Sequence, residues 1–233
     1  MYERSFVDYT NDRSYTRGVS DTAIDRRRAR GDASRRVILE SATDLASVEG
    51  LDGLTIGRLA ESSGMSKSSI ATLFGGKEGL QLAAVQAAAD IFREAVVDPA
   101  RELPRGIARL AKLLRSALDY SRDRVFTGGC FFAATAADMD SKPGPVRDAV
   151  RGWLRDWYGY LEAQVRFAAE AGQIRADAAT VRRLAFELIA LDNEANARSL
   201  LTGEDAPYEI AAAAMRERLL QVGAKAEDLQ SLA

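Results

Sequence analysis

Between residues 55 and 76 the chain starts a helix, stops it and at once starts another, and this punctuation restricts the possible folds more than any other feature. Thr55 is placed to cap a short helix in which Ile56, Leu59 and Ala60 fall at i, i+3 and i+4. Gly64 ends that helix, Ser66 caps the next, and Ile70, Leu73 and Phe74 repeat the spacing. Gly75-Gly76 breaks the second helix, and a long third one is expected from about Lys77 to Val97, stopped by Pro99. Two helices this short are not stable alone, so each must lay its apolar stripe on the other or on a neighbour.

Upstream, Val37, Ile38, Ala42, Leu45 and Ala46 recur at helical spacing behind a cap at Asp32 or Ser34, and Gly50 closes that helix. Residues 1–33 mix Ser, Thr, Asp and Arg with scattered aromatics and show no periodicity, so they are expected to form a disordered arm. Downstream, helices are expected at about Pro104–Arg122, Gly129–Ala137, Pro145–Ala171, Ala178–Leu201 and Pro207–Val222, and no stretch alternates like a strand. The expectation is an all-α protein of about nine helices. Its parts are an arm (1–33), a helix-turn-helix domain (34–80), a helical bundle domain (81–223) and a frayed tail (224–233).

Composition narrows the function. Histidine is absent and Cys130 is the single cysteine, which excludes His-based nucleophile systems, multi-cysteine zinc sites and an internal disulfide. No metal or other cofactor is expected. Carboxylates such as Asp138, Asp140 and Glu187 form no recognisable catalytic set, so the chain does not read as an enzyme. With no run of 18 apolar residues and no apolar N-terminal stretch, the expected location is the cytoplasm. Charge is divided unevenly: from residue 26 to 77 nine Lys/Arg stand against six Asp/Glu, whereas from 78 onward 23 acids outnumber 20 bases. The basic end is therefore the front.

With Ile70, Leu73 and Phe74 turned inward, Lys67, Ser68, Ala71 and Thr72 turn outward and Ser69 lies toward the flank. Small and hydroxyl-bearing groups let a helix backbone approach base edges, and Lys67 can reach guanine. Thr55, Ser66 and Lys77, at helix N-termini, and Arg35 and Arg36, at the start of the first helix, are placed for phosphates. Spacing alone fits an ordinary bundle with a polar face equally well. The cluster Arg26, Arg27, Arg28 and Arg30 is either a minor-groove arm or a solvated charge run.

The stretch "LTIGRLAESSGMSKSSIATLFGGKEGL" resembles the tetracycline-repressor (TetR) family, with Thr55, Leu59, Ala60, Gly64, Ser66, Lys67, Ile70, Phe74, Lys77 and Leu80 at its motif positions. Ala71, Thr72 and Leu73 stand where the family usually has a tyrosine, an arbitrary residue and a histidine or tyrosine before the Phe, so the aromatic phosphate contact is not carried over. Ser68-Ser69 stand where a Gly-Thr pair is usual. "GGCFFAATAADMDSKPGPVRDAV", Trp153, Trp157 and "LAFELIALDNEANARSLL" resemble the C-terminal domain of a GGCFF-type subgroup.

The resemblance implies a ligand pocket and a dimer interface in the C-terminal helices. Phe92, Leu114, Leu118, Phe131, Trp153 and Trp157 are candidates for the pocket lining, or else they fill the core. Leu184, Leu188, Leu191, Ala195, Ile210 and Ala214 lie on stripes that face either a second copy or the chain's own interior. Asn193 and Asn196 would be unusual core residues and fit a pocket wall or an interface better. The expected protein is a homodimeric regulator, a repressor on a palindromic duplex operator released by a small, largely apolar effector. The competing readings are a helical carrier or enzyme with no DNA role, and a nonspecific architectural DNA binder.

Overall fold

A computed structural model describes residues 22–233, with side chains from residue 31 onward. Within that span the chain is all-helical, with ten α-helices and no strand. The helices are α1 (Thr22–Gly53), α2 (Ile56–Ser63), α3 (Lys67–Phe74), α4 (Lys77–Phe92), α5 (Asp98–Arg101), α6 (Ile107–Arg122), α7 (Phe131–Met139), α8 (Pro145–Glu170), α9 (Ala178–Thr202) and α10 (Ala206–Gln221). None of them is long and apolar enough to cross a membrane.

Helices α1 to α3 form a head, and α4 joins it to the body. The capping expected from sequence is present: Thr55 accepts from the Arg58 amide at 3.3 Å and Ser66 from the Ser69 amide at 3.1 Å. Gly64 takes the left-handed conformation (φ 67°) that lets the chain turn from α2 into α3 without a Cβ clash. Ile38, Leu59, Ile70, Phe74 and Leu80 pack together and run without a gap into the core of the body.

Three expectations need correction. Helix α1 begins at Thr22, so residues 22–33 are not a disordered arm. The stretch carries Ala and Arg, good helix formers, and a helix already nucleated and anchored from Ile38 onward propagates through them at little cost. The arm's earlier residues and the side chains of Arg26, Arg27, Arg28 and Arg30 lie outside the described residues. Pro99 does not stop the long helix: the chain widens into a π-helical turn over Arg93–Val97 and resumes as α5. There the Asp98 amide bonds to the Arg93 carbonyl, and this shifted register accommodates a proline that lacks an amide and would clash in an α-helix. Finally, the tail is docked. Ala226–Leu232 form a 3-10 helix against α6, burying Leu229 and Leu232. Two leucines three apart in a polar stretch recover enough apolar burial, about 1.5–3 kcal/mol each, to order a chain end.

Helix α1 is also where head and body meet. Gly50 (φ 73°) kinks its end against α7, and a Cβ there would lie 2.7 Å from the Asp138 carboxyl group. The Asp138 carboxylate accepts from the Asp52 amide at 2.9 Å, and Lys142 bridges Asp138 and Asp52. The loop before α7 is tied to the same helix. Asp44 accepts from the Thr127 amide and hydroxyl (2.7 and 3.0 Å), and Ser47 from the Gly128 amide (3.0 Å).

Candidate functional site

On the head, α3 buries Ile70 completely and leaves Phe74 8% exposed, while Lys67, Ser68, Ser69 and Thr72 are exposed and Ala71 is half-buried. The hydroxyls form a cluster at the helix start, with Ser66 Oγ 3.0 Å from Ser68 Oγ and 2.8 Å from Ser69 Oγ. Thr72 donates its hydroxyl proton to the Ser68 carbonyl at 2.8 Å. What remains to face outward there is its methyl group and an acceptor oxygen. This surface is flat, small-residued and hydrogen-bonding, as a helix entering a major groove requires. Arg36 is exposed beside it.

Two of the expected phosphate contacts are otherwise engaged. Arg35 donates to the Leu73 carbonyl at 3.1 Å and lies 4.5 Å over the Phe74 ring, so it braces α1 against α3 rather than standing free for a duplex. The aromatic face and an uncapped helix-end carbonyl outcompete water for a guanidinium within reach of both. Lys77 donates to the Asp52 carbonyl at 3.0 Å, tying α4 to the end of α1, and keeps an exposed ammonium with further donors.

In the body a cavity of about 660 Å³ lies between α1, α7, α8 and α9. Phe92, Trp153 and Trp157 line it, together with Phe132 and Tyr158. Phe132 stacks on Trp153 with centroids 3.4 Å apart and planes 4° from parallel, and Phe92 meets both tryptophans edge-on at 4.9 Å. Leu114, Leu118 and Phe131 do not line it and are buried in the core. Neighbouring positions on a helix diverge by about 100°. Phe132 thus takes the cavity side and Phe131 turns to Phe126, 5.9 Å away.

The polar end of the cavity comes from α9. Asn196 accepts from the Cys130 amide at 3.2 Å, and Asn193 interacts with the Tyr158 hydroxyl. Asp192 lines the same end, with Oδ1 buried and without a hydrogen-bond partner. Burial pushes its carboxyl up to about 7. Burial, and then the nearby Asp192, push the Cys130 thiol up to about 12, which makes it inert packing rather than a redox group. Sequence reasoning passed over Asp192, Phe132 and Tyr158. A signal for Asp192 was present: Leu188, Asp192 and Asn196 are spaced by four, so an acid interrupts an apolar stripe.

Of the expected interface positions, Leu184, Leu188 and Ala195 are buried within the protomer and cannot meet a second copy. Leu191 and Ala214 are half-buried, and Ile210 is exposed. The outward stripe lies one step around α9, through Phe186, Ala190, Ala197 and Leu201.

Residues 38–84 match the family described as Bacterial regulatory proteins, tetR family, and residues 106–215 match the Tetracyclin repressor-like C-terminal domain, together about two thirds of the chain. The chain belongs to the TetR family of transcriptional regulators. Its members are DNA-binding regulators and not enzymes. The HTH-type transcriptional regulator LmrA of Bacillus subtilis is 29% identical over 156 residues, which cover 64% of this chain and 79% of that protein. A TetR regulator from Chloroflexus aurantiacus superposes with a TM-score of 0.75 at 25% identity, covering 83% of this chain and 97% of its own. AibR, solved with isovaleryl coenzyme A and operator DNA, shares the fold, with a TM-score of 0.66 at 19% identity over 79% of this chain and 97% of its own.

Proposed function

We propose that this TetR-family regulator is a repressor that binds a palindromic operator as a homodimer and is released by a small molecule seated in the cavity between α1, α7, α8 and α9. The carrying observation is that this cavity includes Ser47 and Val48 of α1 in its wall. Helix α1 packs directly on α2 of the head, so an occupant of the cavity presses on the element that orients the reading helix. Ligand binding favours whichever spacing of the two heads suits the occupied cavity, and release follows if that spacing departs from about 34 Å, one turn of DNA.

The dimer reading rests on α9 and α10. Phe186, Leu201 and Ile210 are 74%, 89% and 66% exposed, a combination that a monomer in water does not favour. The fold relative AibR, solved in complex with isovaleryl coenzyme A and operator DNA, supports a DNA site and a small-molecule site within one protein of this architecture. A mobility-shift titration with the duplex upstream of the protein's own gene, against random duplex of equal length, tests the DNA half. Specific binding should exceed random binding by 10³-fold or more. Equal affinity for both duplexes would reject the regulator as proposed.

A further inference from the structure

The cavity is largely apolar, with polar side chains from α9 and at Ser47 and Thr127. Trp153, Trp157, Phe92, Phe132 and Tyr158 line its walls, and among the described residues no lysine or arginine does. Of the polar groups from α9, Asn196 accepts from the Cys130 amide and Asn193 is engaged with Tyr158. Asp192 differs: its Oδ1 is buried with no hydrogen-bond partner. Leaving such an oxygen without a donor is costly, and folded proteins rarely do so unless something else completes the site. A donor would complete the site in its ionised form. In a cavity with one acid, no lining base and several aromatic side chains, a cation is favoured over a neutral donor, because the carboxylate and the ring quadrupoles attract it together.

We infer that Asp192 is the anchor for the ammonium group of a lipophilic alkylamine bearing aromatic rings, whose apolar body lies among Trp153, Trp157 and Phe132. This rests on the cavity being the effector seat, and it narrows the effector from largely apolar to apolar with one protonated nitrogen. Burial keeps the carboxyl close to neutrality in the empty cavity, and an arriving cation draws it into the ionised form.

The chain's two tryptophans both line the cavity, so their fluorescence reports its occupancy directly. Three probes of one shape discriminate: 3,3-diphenylpropylamine, 3,3-diphenylpropan-1-ol and 1,1-diphenylbutane, titrated into the full chain with excitation at the tryptophan edge. The amine should bind at least tenfold more tightly than the other two, and Asp192→Asn should bring all three level. Equal affinities in the unaltered chain, preference for the alcohol, an amine preference that survives Asp192→Asn, or no quenching by any probe overturns the anchor. The unaltered chain supplies the decisive comparison even if the variant folds poorly. Release of the bound duplex by the amine is read in parallel. Quenching without release upholds the anchor and rejects the cavity as the effector seat.

Discussion

Lys67 is the only charged residue on α3 and is exposed at its start, so its loss separates two modes of DNA contact. If it reads a guanine edge, Lys67→Ala should cost about 1–3 kcal/mol on the operator and little on random duplex. If it holds a phosphate, both duplexes weaken alike and the salt slope falls by about one. Binding titrations at several salt concentrations distinguish the two. Arg35, by contrast, is a brace. Arg35→Ala should lower thermal stability by about 1–2 kcal/mol through the lost Leu73 carbonyl bond and Phe74 contact. Asp192 yields a pH signature. Burial holds its carboxyl at about 7 in the folded chain, against ~3.9 when unfolded. The folded state therefore keeps a proton that the unfolded state has lost, so this group's contribution falls as pH rises from ~4 to ~7 and is constant above. Its neighbours Cys130 and Tyr158 are both pushed upward, by burial first, and stay neutral over that range. Asp192→Asn should thus melt higher than the parent at pH 8, with the gap closing toward pH 4. A gap independent of pH would show that the carboxyl's charge is not what destabilises the site.

At the scale of elements, the joint between α1 and the loop before α7 decides whether head and body move together. Asp44 takes two bonds from Thr127, and Ser47 takes the Gly128 amide so closely that a Cβ on Gly128 would fall on the Ser47 carbonyl. A double-mutant cycle of Asp44→Ala with Thr127→Val should give a coupling energy of about 1 kcal/mol or more by thermal melts. Additive effects would mean that the contact carries no load. None of this joint was legible in the sequence, because it pairs residues more than eighty apart whose types are ordinary in loops and helix ends. The head was legible for the opposite reason: Thr55, Gly64, Ser66 and Gly75 act on their immediate neighbours, and the triplets they bracket leave one way to pack. Pro99 misled because a π turn can absorb a proline, and Leu229 and Leu232 because a docked tail is distinguished from a frayed one only by the groove on α6. In the cavity, the aromatics Phe92, Trp153 and Trp157 were recognisable as bulky groups on successive helices. Which of Phe131 and Phe132 faces inward depended on the pitch at which α7 meets α8.

For the molecule as a whole, the outstanding feature is an apolar stripe left uncovered on α9 and α10. Phe186, Ala190, Ala197 and Leu201 follow one another at spacings of four, seven and four, and Ile210 and Ala213 are exposed apolar residues on α10. The stripe adjoins the cavity, since Ile189, Asn193 and Ala197 line both it and a shallower hollow beside Phe186. A second copy laid across these helices would cover the stripe and narrow the cavity mouth in one step, which links assembly to ligand retention. Symmetry requires each altered side chain to appear twice in such an interface. Leu201→Glu with Ile210→Glu should therefore place carboxylates from both copies in a dry contact and split the dimer, while each protomer, whose own core excludes both residues, remains folded. Sedimentation at micromolar concentration should show the parent as a dimer and the variant as a monomer, and circular dichroism should show unchanged helix content. Operator affinity should fall by at least tenfold, because one head alone grips half a site. A variant that sediments as a dimer would move the interface away from α9 and α10, and a parent that is monomeric would remove the two-headed repressor altogether.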